Sequence, residues 1–359
     1  MKRIWMQRIG AAVLCAVLLA GCVPGGPAAS STAPADPLTG QEQRYPGQRP
    51  AAVVLDNSPG STTQWGIGSA AVVLEAETQE HSAPSLCLVY PSVAAMPTVG
   101  PVTLGQDLFW QLLSGQNVLP IQRGSSLYAR NFLDYWNLRA VDALEVGRNA
   151  FSGGEDDWVS PLWRTSGQAV ENVLDSLNLS SALPEAASSS ASTGAEDVPP
   201  TVPALLPQQT GGHLPDADAA DAVQAAVQFS SGSITRFAYD AATGTYGMQH
   251  GDGTPQLDAN TGTQAAFDNL LVLYSASTLR DDGRTLDYDL TMGGGLWLNG
   301  GHLWHVTWTQ GTDATFAFYD SDGRPLTLES GRSYIAWLSS LTGEEVTVQD
   351  SAGNDLLQP

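Results

Sequence analysis

The amino terminus sets the first limit on what this chain can fold into. Lys2, Arg3 and Arg8 precede an uncharged apolar run from Ile9 to Leu19, which ends in Leu19-Ala20-Gly21-Cys22. A basic start stays cytoplasmic, a short apolar run enters the translocon, and small residues fit a peptidase. The run is short for a membrane span. Residues 1–21 therefore read as a lipoprotein signal peptide that leaves the mature fold, and Cys22 as the lipidated anchor. The alternative is a plain secretory signal with a chance cysteine. Cys15 departs with the leader, so Cys87 is the one cysteine left to the folded part. One cysteine makes no internal disulfide, and the fold has to be held by burial. Cys87 itself lies in the apolar run Leu86-Cys87-Leu88-Val89-Tyr90 and reads as a core thiol, with nothing nearby to stabilise a thiolate.

Charge narrows the partners. The chain of 359 residues carries 15 basic and 37 acidic side chains, a formal charge of −22. Loss of Lys2, Arg3 and Arg8 with the leader takes this to −25. Such a surface repels nucleic acid and anionic headgroups, so no nucleic-acid partner is expected. The membrane is reached through the acyl (palmitate-type) chains on Cys22, at the extracytoplasmic face of the cell membrane; two such chains hold stably where one does not.

Composition divides the remainder. Residues 22–44 are rich in Pro, Gly, Ala and Ser and read as a flexible tether, a character that extends to Pro50. Ala51–Leu55, Ala70–Glu75 and Ser85–Tyr90 are short apolar runs suited to buried strands. Asp107–Leu113 and Leu127–Trp136 read as helices with a strand at Val118–Ile121 between them. Thr165–Leu177 is the clearest helix: Thr165 and Gln168 have capping-box spacing, and Val170, Val173, Leu174 and Leu177 form one stripe. Residues 45–180 thus form an N-terminal α/β layered region. A Ser/Pro/Ala-rich linker is expected over 181–221. Residues 222–350 form a β-rich region that opens with a hairpin, Thr235–Tyr239 against Thr245–Met248. Further alternating runs follow at Leu270–Tyr274, Leu286–Leu290, Gly295–Leu298, Leu303–Trp308, Thr315–Tyr319 and Tyr334–Leu338. The expected class is α+β, mixed α/β followed by β.

The order of several short segments is informative. It runs from Arg49-Pro50-Ala51-Ala52-Val53-Val54-Leu55-Asp56-Asn57 through Ser69–Ala76 and Gly100-Pro101-Val102 to Tyr239-Asp240 and Thr243-Gly244-Thr245-Tyr246. Asp258–Gly262, Asn269–Val272, Trp308-Thr309, Phe318–Gly323 and Leu328-Glu329-Ser330-Gly331 continue it. This series resembles the YerB-like lipoprotein family, a bacterial envelope family of unknown function with two named regions, over most of the mature chain. The resemblance implies an envelope lipoprotein in which the N- and C-terminal regions follow one another. Three departures stand out. The family carries a basic residue beyond Glu75-Ala76, an arginine after Gly100-Pro101-Val102 and a histidine near Pro161; this chain has Thr78–Ala83, Thr103–Gln106 and no histidine at those places. If the family binds an anionic ligand through such groups, this chain is expected to bind it weakly or not at all.

Residues that can carry chemistry are few. Asp56 and Asn57 follow a strand, and Glu75 ends a neighbouring apolar run. They read either as a ligand-binding or acid/base carboxylate pair in a cleft, or as groups that satisfy a turn and a local pair. His302 and His305 are three apart on a strand, on opposite faces, and no metal site is expected. Asp320-Ser321-Asp322-Gly323 resembles the start of a calcium loop, but Gly331 occupies the twelfth position, so a turn is expected. Asp281, Asp282, Asp287 and Asp289 suit a solvated hairpin, and Gly124-Ser125-Ser126 a turn. Trp304 and Trp308 share a strand face near Trp297 and Trp337, either as an exposed sugar-stacking set or as core. No phosphate loop, dinucleotide fingerprint or nucleophile elbow is present, and no cofactor is expected. The favoured function is binding of an envelope protein or cell-wall polymer. The alternatives are an envelope hydrolase using Asp56 and Glu75, and a purely structural assembly factor.

Overall fold

The computed structural model describes residues 34–58, 63–153, 162–184, 199–212, 221–341 and 343–358. The leader and the expected lipidation site at Cys22 lie outside them. The first half supplies β1 (Ala51–Leu55), β2 (Val72–Ala76), β3 (Ser85–Tyr90), β4 (Leu119–Gln122) and β5 (Val141–Asp142). Helices α1 (Asp107–Leu112), α2 (Leu127–Tyr135), α3 (Ala143–Val146) and α4 (Gly167–Leu174) alternate with them. The second half is made of strands: β6 (Gln224–Gln228), β7 (Ile234–Asp240), β8 (Thr245–His250), β9 (Ala266–Phe267), β10 (Asn269–Ser275), β11 (Met292–Asn299), β12 (His302–Gln310), β13 (Phe316–Tyr319), β14 (Pro325–Leu326), β15 (Ser333–Ser339) and β16 (Glu345–Gln349). The fold is α+β, with mixed α/β elements first and strands after.

One sheet runs through both halves, in the order β14-β13-β12-β11-β10-β15-β2-β3-β1-β4-β5. Its seam is the parallel pair β2–β15, in which Val73 faces Tyr334 and Glu75 faces Ala336. All seven residues of β15 and all five of β2 are buried. Strands covered on both faces read as continuous apolar runs, which is why β1, β2 and β3 are legible from composition. A second sheet, β9-β8-β7-β6-β16, packs on one face of the first. Phe237, Met248 and Val348 from it share a core with Val53, Val73, Leu88 and the α4 stripe. The opposite face carries α1 and α2: Leu108, Phe109 and Leu133 pack with Val54, Cys87 and Leu271.

Two local expectations are revised. The cap of α4 is Ser166, whose hydroxyl accepts from Ala169 N at 3.3 Å, and not Thr165. The Thr165 hydroxyl instead donates to the buried carbonyl of Ala150 at 2.8 Å, a bond that prevents it from capping. The helix then tightens into a 3-10 turn at Asp175–Leu177, and the stripe through Leu177 is buried. Residues 34–50, tether-like in composition, are held against the sheet. Asp36 Oδ1 accepts from Leu38 N and Thr39 N at 3.0 and 3.1 Å, Leu38 is buried, and Gly331 N donates to Thr39 O. Within the Ser/Pro/Ala-rich stretch, Leu205 and Leu206 are buried and Gln208–Gln209 pairs with Leu328–Glu329.

The tryptophans divide between core and surface. Trp297, Trp308 and Trp337 are buried, and half-buried Trp304 stacks on Trp297 with centroids 4.4 Å apart. They form a core and not an exposed stacking set. Cys87 is fully buried, and burial pushes its thiol up.

Candidate functional site

The feature of β2 that demands explanation is Glu75, a carboxyl in the strand Val72-Val73-Leu74-Glu75-Ala76 with no solvent exposure. Strand alternation puts Glu75 on the same face as Val73, toward the second sheet. A buried carboxyl needs donors, and three side chains supply them from three segments. Asn57 Nδ2 donates to Oε1 at 2.7 Å. The Thr235 hydroxyl, from β7, lies 2.9 and 3.0 Å from the two oxygens. The Tyr334 hydroxyl, from β15, donates to Oε2 at 2.5 Å. Asn57 is held in turn by Gln64, whose Nε2 donates to its Oδ1 at 2.8 Å. Glu75 thus ties the first sheet to the second.

Two effects oppose each other at this carboxyl. Burial disfavours the charged form, while the donors favour it. Burial is the larger, and the group is pushed up from 4.5 to about 7. The same burial, with the Glu75 carboxyl beside it, pushes the Tyr334 hydroxyl well up.

Above this cluster lies a cleft of about 420 Å³, walled by Asn57, Ser58, Thr235, His250, Thr254 and Gln256 among others. Half of the lining residues carry hydroxyls or amides, and Glu75, His250 and Asp252 add titratable groups. Gln256 is buried, and among the described residues its Nε2 has no hydrogen-bond partner. The cleft therefore holds polar capacity beyond what its own side chains absorb.

Of the residues singled out from the sequence, Asn57 and Glu75 come together and Asp56 does not join them. The Asp56 carboxylate accepts from Ser58 N at 2.9 Å and from the Ser58 hydroxyl at 3.1 Å, an Asx turn at the end of β1. It is not part of the cleft lining. Thr235, Tyr334 and Gln64 escaped sequence reasoning. Thr235 left a faint signal, since it is a polar residue in phase with the inward Phe237. A second acid beyond β2, Glu77, is buried and receives Ser231 N at 2.7 Å and the Ser230 hydroxyl. It anchors the β6–β7 turn to the first sheet.

The other acidic and histidine motifs are local. Asp320 Oδ1 accepts from Asp322 N and Arg324 N at 2.9 and 2.8 Å, a turn. Asp282 caps a hairpin by accepting from Thr285 N and its hydroxyl at 2.8 and 2.6 Å. Ser126 caps α2. His302 is half-buried and His305 exposed, on opposite faces of β12. Among the described residues no three His, Cys, Asp or Glu converge as a metal site would require.

Comparison with known proteins places this geometry in a family. Residues 38–189 match the model described as "Protein of unknown function (DUF3048) N-terminal domain", and residues 225–335 match its C-terminal counterpart. The chain belongs to this family. Both the Glu75 strand and its Thr235 and Tyr334 partners fall inside the matched residues. A relative from Bacillus subtilis (strain 168), named "Putative lipoprotein YerB", is 25% identical over 319 residues, covering 87% of this chain and 88% of that one. The crystal structure of the YerB protein from Bacillus subtilis has the same fold. Its TM-score is 0.71 at 21% identity, covering 88% of this chain and 99% of that one.

Proposed function

We propose that this family member is an envelope lipoprotein, held at the extracytoplasmic face of the membrane by lipid on Cys22, whose cleft above Glu75 recognises a cell-wall polymer. The cleft carries this reading. Its base is a carboxyl fixed by Asn57, Thr235 and Tyr334, and its walls present hydroxyls and amides, including the unpartnered Gln256 Nε2. Pre-set polar groups of this kind bind hydroxyl- and amide-rich polymers with little ordering cost. The name of the Bacillus relative supports the lipid anchor. A role as a purely structural factor would leave the cleft without a purpose.

A hydrolase is the second reading, because a carboxyl pushed up to about 7 meets the requirement for a general acid near neutrality. It needs a second group at the reacting centre, and Asp56 is engaged in its own turn. Co-sedimentation of the mature protein with purified peptidoglycan sacculi separates the two. Saturable binding, weakened about tenfold by Asn57→Ala or His250→Ala, with no release of soluble fragments, is expected. Binding indifferent to both substitutions would overturn the cleft assignment, and release of reducing ends would replace binding by hydrolysis.

A further inference from the structure

On the opposite face of the first sheet from the Glu75 cleft lies a second concavity of about 570 Å³, between the end of α2 and the loop after β12. We infer that this groove is a binding site for the uncharged pyranose rings of a glycan, which lie on Trp136. The inference is independent of the function proposed for the cleft.

The platform is the first observation. Tyr135 is 81% exposed and Trp136 60% exposed, while Trp110, Trp297, Trp308 and Trp337 are buried. The two rings meet edge to face at 5.2 Å, and Trp136 also contacts the half-buried Phe132 at 6.4 Å. An aromatic cluster of this size left in water marks a contact surface.

The platform is rigid. α2 ends at Tyr135 with Trp136 as its C-cap, and Asn137 adopts the left-handed conformation at φ 50°. Leu138 N then donates to Leu133 O at 2.8 Å and Asn137 N to Asp134 O at 3.2 Å. This is a Schellman-type stop, and Leu133 beneath it is buried. The facing wall is equally fixed. Gln310 Nε2 lies 3.3 Å from both Leu112 O and Ala314 O. A Cβ on Gly115 would fall 1.6 Å from Asp313 O, so only glycine lets the loop after β12 seat against the turn after α1. The groove exists before any ligand arrives, which lowers the ordering cost of binding.

The lining selects the occupant. Its apolar part is Phe132, Trp136, Leu138 and Leu290; its polar part is Gln111, Ser114, Gln310 and Thr312. Among the described residues no charged side chain lines it, in a chain with 37 acidic residues. An anion meets the long-range repulsion of the whole molecule with no local cation to offset it. A cation finds no carboxylate. Gln111, Ser114 and Gln310 already donate to Asp107, Gln111 O, and Leu112 O with Ala314 O, but a purely apolar ligand would still cover the Thr312 hydroxyl and the oxygens of the two amides without pairing them. A neutral sugar ring meets all three conditions, with a C–H face for the indole and a rim of hydroxyls for amides and alcohols. The size also fits, since pockets for small ligands run from about 300 to 1,000 Å³.

Calorimetric titration of the mature protein tests this, using neutral oligosaccharides of glucose, mannose, galactose and N-acetylglucosamine at millimolar concentration, with oligogalacturonate as the anionic control. Saturable binding of at least one neutral oligosaccharide is expected, with none of the anion. Trp136→Ala should weaken it about tenfold or more, and Trp136→Phe by about threefold or less. Trp136 is exposed, so its removal leaves the fold intact, and unchanged far-UV circular dichroism checks this. Absence of binding across the neutral panel overturns the inference. So does unaltered binding by Trp136→Ala, or a Trp136-dependent dimer in analytical ultracentrifugation, which would assign the groove to a second copy of the chain. Loss of binding in Asn57→Ala with Trp136→Ala unaffected would move the sugar to the cleft and overturn the inference.

Discussion

Replacing Glu75 by Gln offers a direct test of the balance of forces at the centre of the molecule. In the unfolded chain the carboxyl ionises near its ordinary value of 4.5, and in the folded chain near 7. Between these values the folded state holds a proton that the unfolded state has released. The carboxyl's contribution to stability is therefore complete below about pH 4.5 and is lost as the pH rises through 7. The gap, at about 1.4 kcal/mol per unit, corresponds to a loss of about 3 kcal/mol. Gln has nearly the same shape. Its oxygen accepts from Asn57 and Thr235 as Oε1 does, and its amide donates to a rotated Tyr334 hydroxyl, so the network survives without a titrating group. Urea unfolding of both proteins from pH 4.5 to 8.5 gives the stability difference at each pH, in which every other titration cancels. The Gln variant is expected to gain about 3 kcal/mol on the wild type across this range. A difference that stays flat would show that Glu75 does not titrate there. A difference that runs the other way would show that the three donors outweigh burial, and that the carboxyl is ionised throughout.

Other substitutions and treatments have definite outcomes. Arg332 donates to the carbonyls of Ala70, Ala266 and Ile67 at 2.7–2.8 Å from a largely buried position; Arg332→Met should cost about 3–5 kcal/mol in urea unfolding by orphaning them, and a loss below 1 kcal/mol would mean that water replaces the guanidinium there. Cys22→Ala should move the protein from the membrane pellet to the soluble fraction, and firm attachment of the variant would refute the lipid anchor. Limited proteolysis should cut first within residues 181–221, sparing Leu205 and Leu206, which are buried. First cuts inside 51–175 would contradict that order.

How much of this was legible in the sequence follows from what periodicity encodes. Continuous apolar runs mark strands covered on both faces, so Ala51–Leu55 and Ser85–Tyr90 coincide with β1 and β3, and alternation marks half-buried ones, so the Thr235 and Thr245 runs form the β7–β8 hairpin. The turn at Asp56 follows from Asx chemistry alone. Periodicity does not tell which strand lies beside which. The insertion of β15 between β10 and β2 pairs residues of β2 and β15 that are 261 positions apart, and no local signal announces it. The same limit explains the capping error at Thr165: Ser166 and Thr165 are both competent, and the choice was made by a carbonyl at Ala150, remote in the pattern.

The candidate site shows where such reasoning can be extended. Glu75 was visible as an anomaly, a charge in phase with Val73 inside an apolar strand. The cost of burying an unpaired carboxyl requires partners, so the anomaly already implied that donors exist without naming them. Those donors are themselves anomalies of the same kind. Thr235 is polar in phase with Phe237, and Tyr334 carries the hydroxyl on the same face of β15 as Ala336 and Leu338. Each buried polar side chain is a local conflict with its own strand, and the conflicts cancel only when the strands are assembled correctly. Matching in-phase polar residues across distant strands is thus a constraint on topology that periodicity lacks. In this chain it selects the arrangement that sets β15 beside β2 and lays β7 across both.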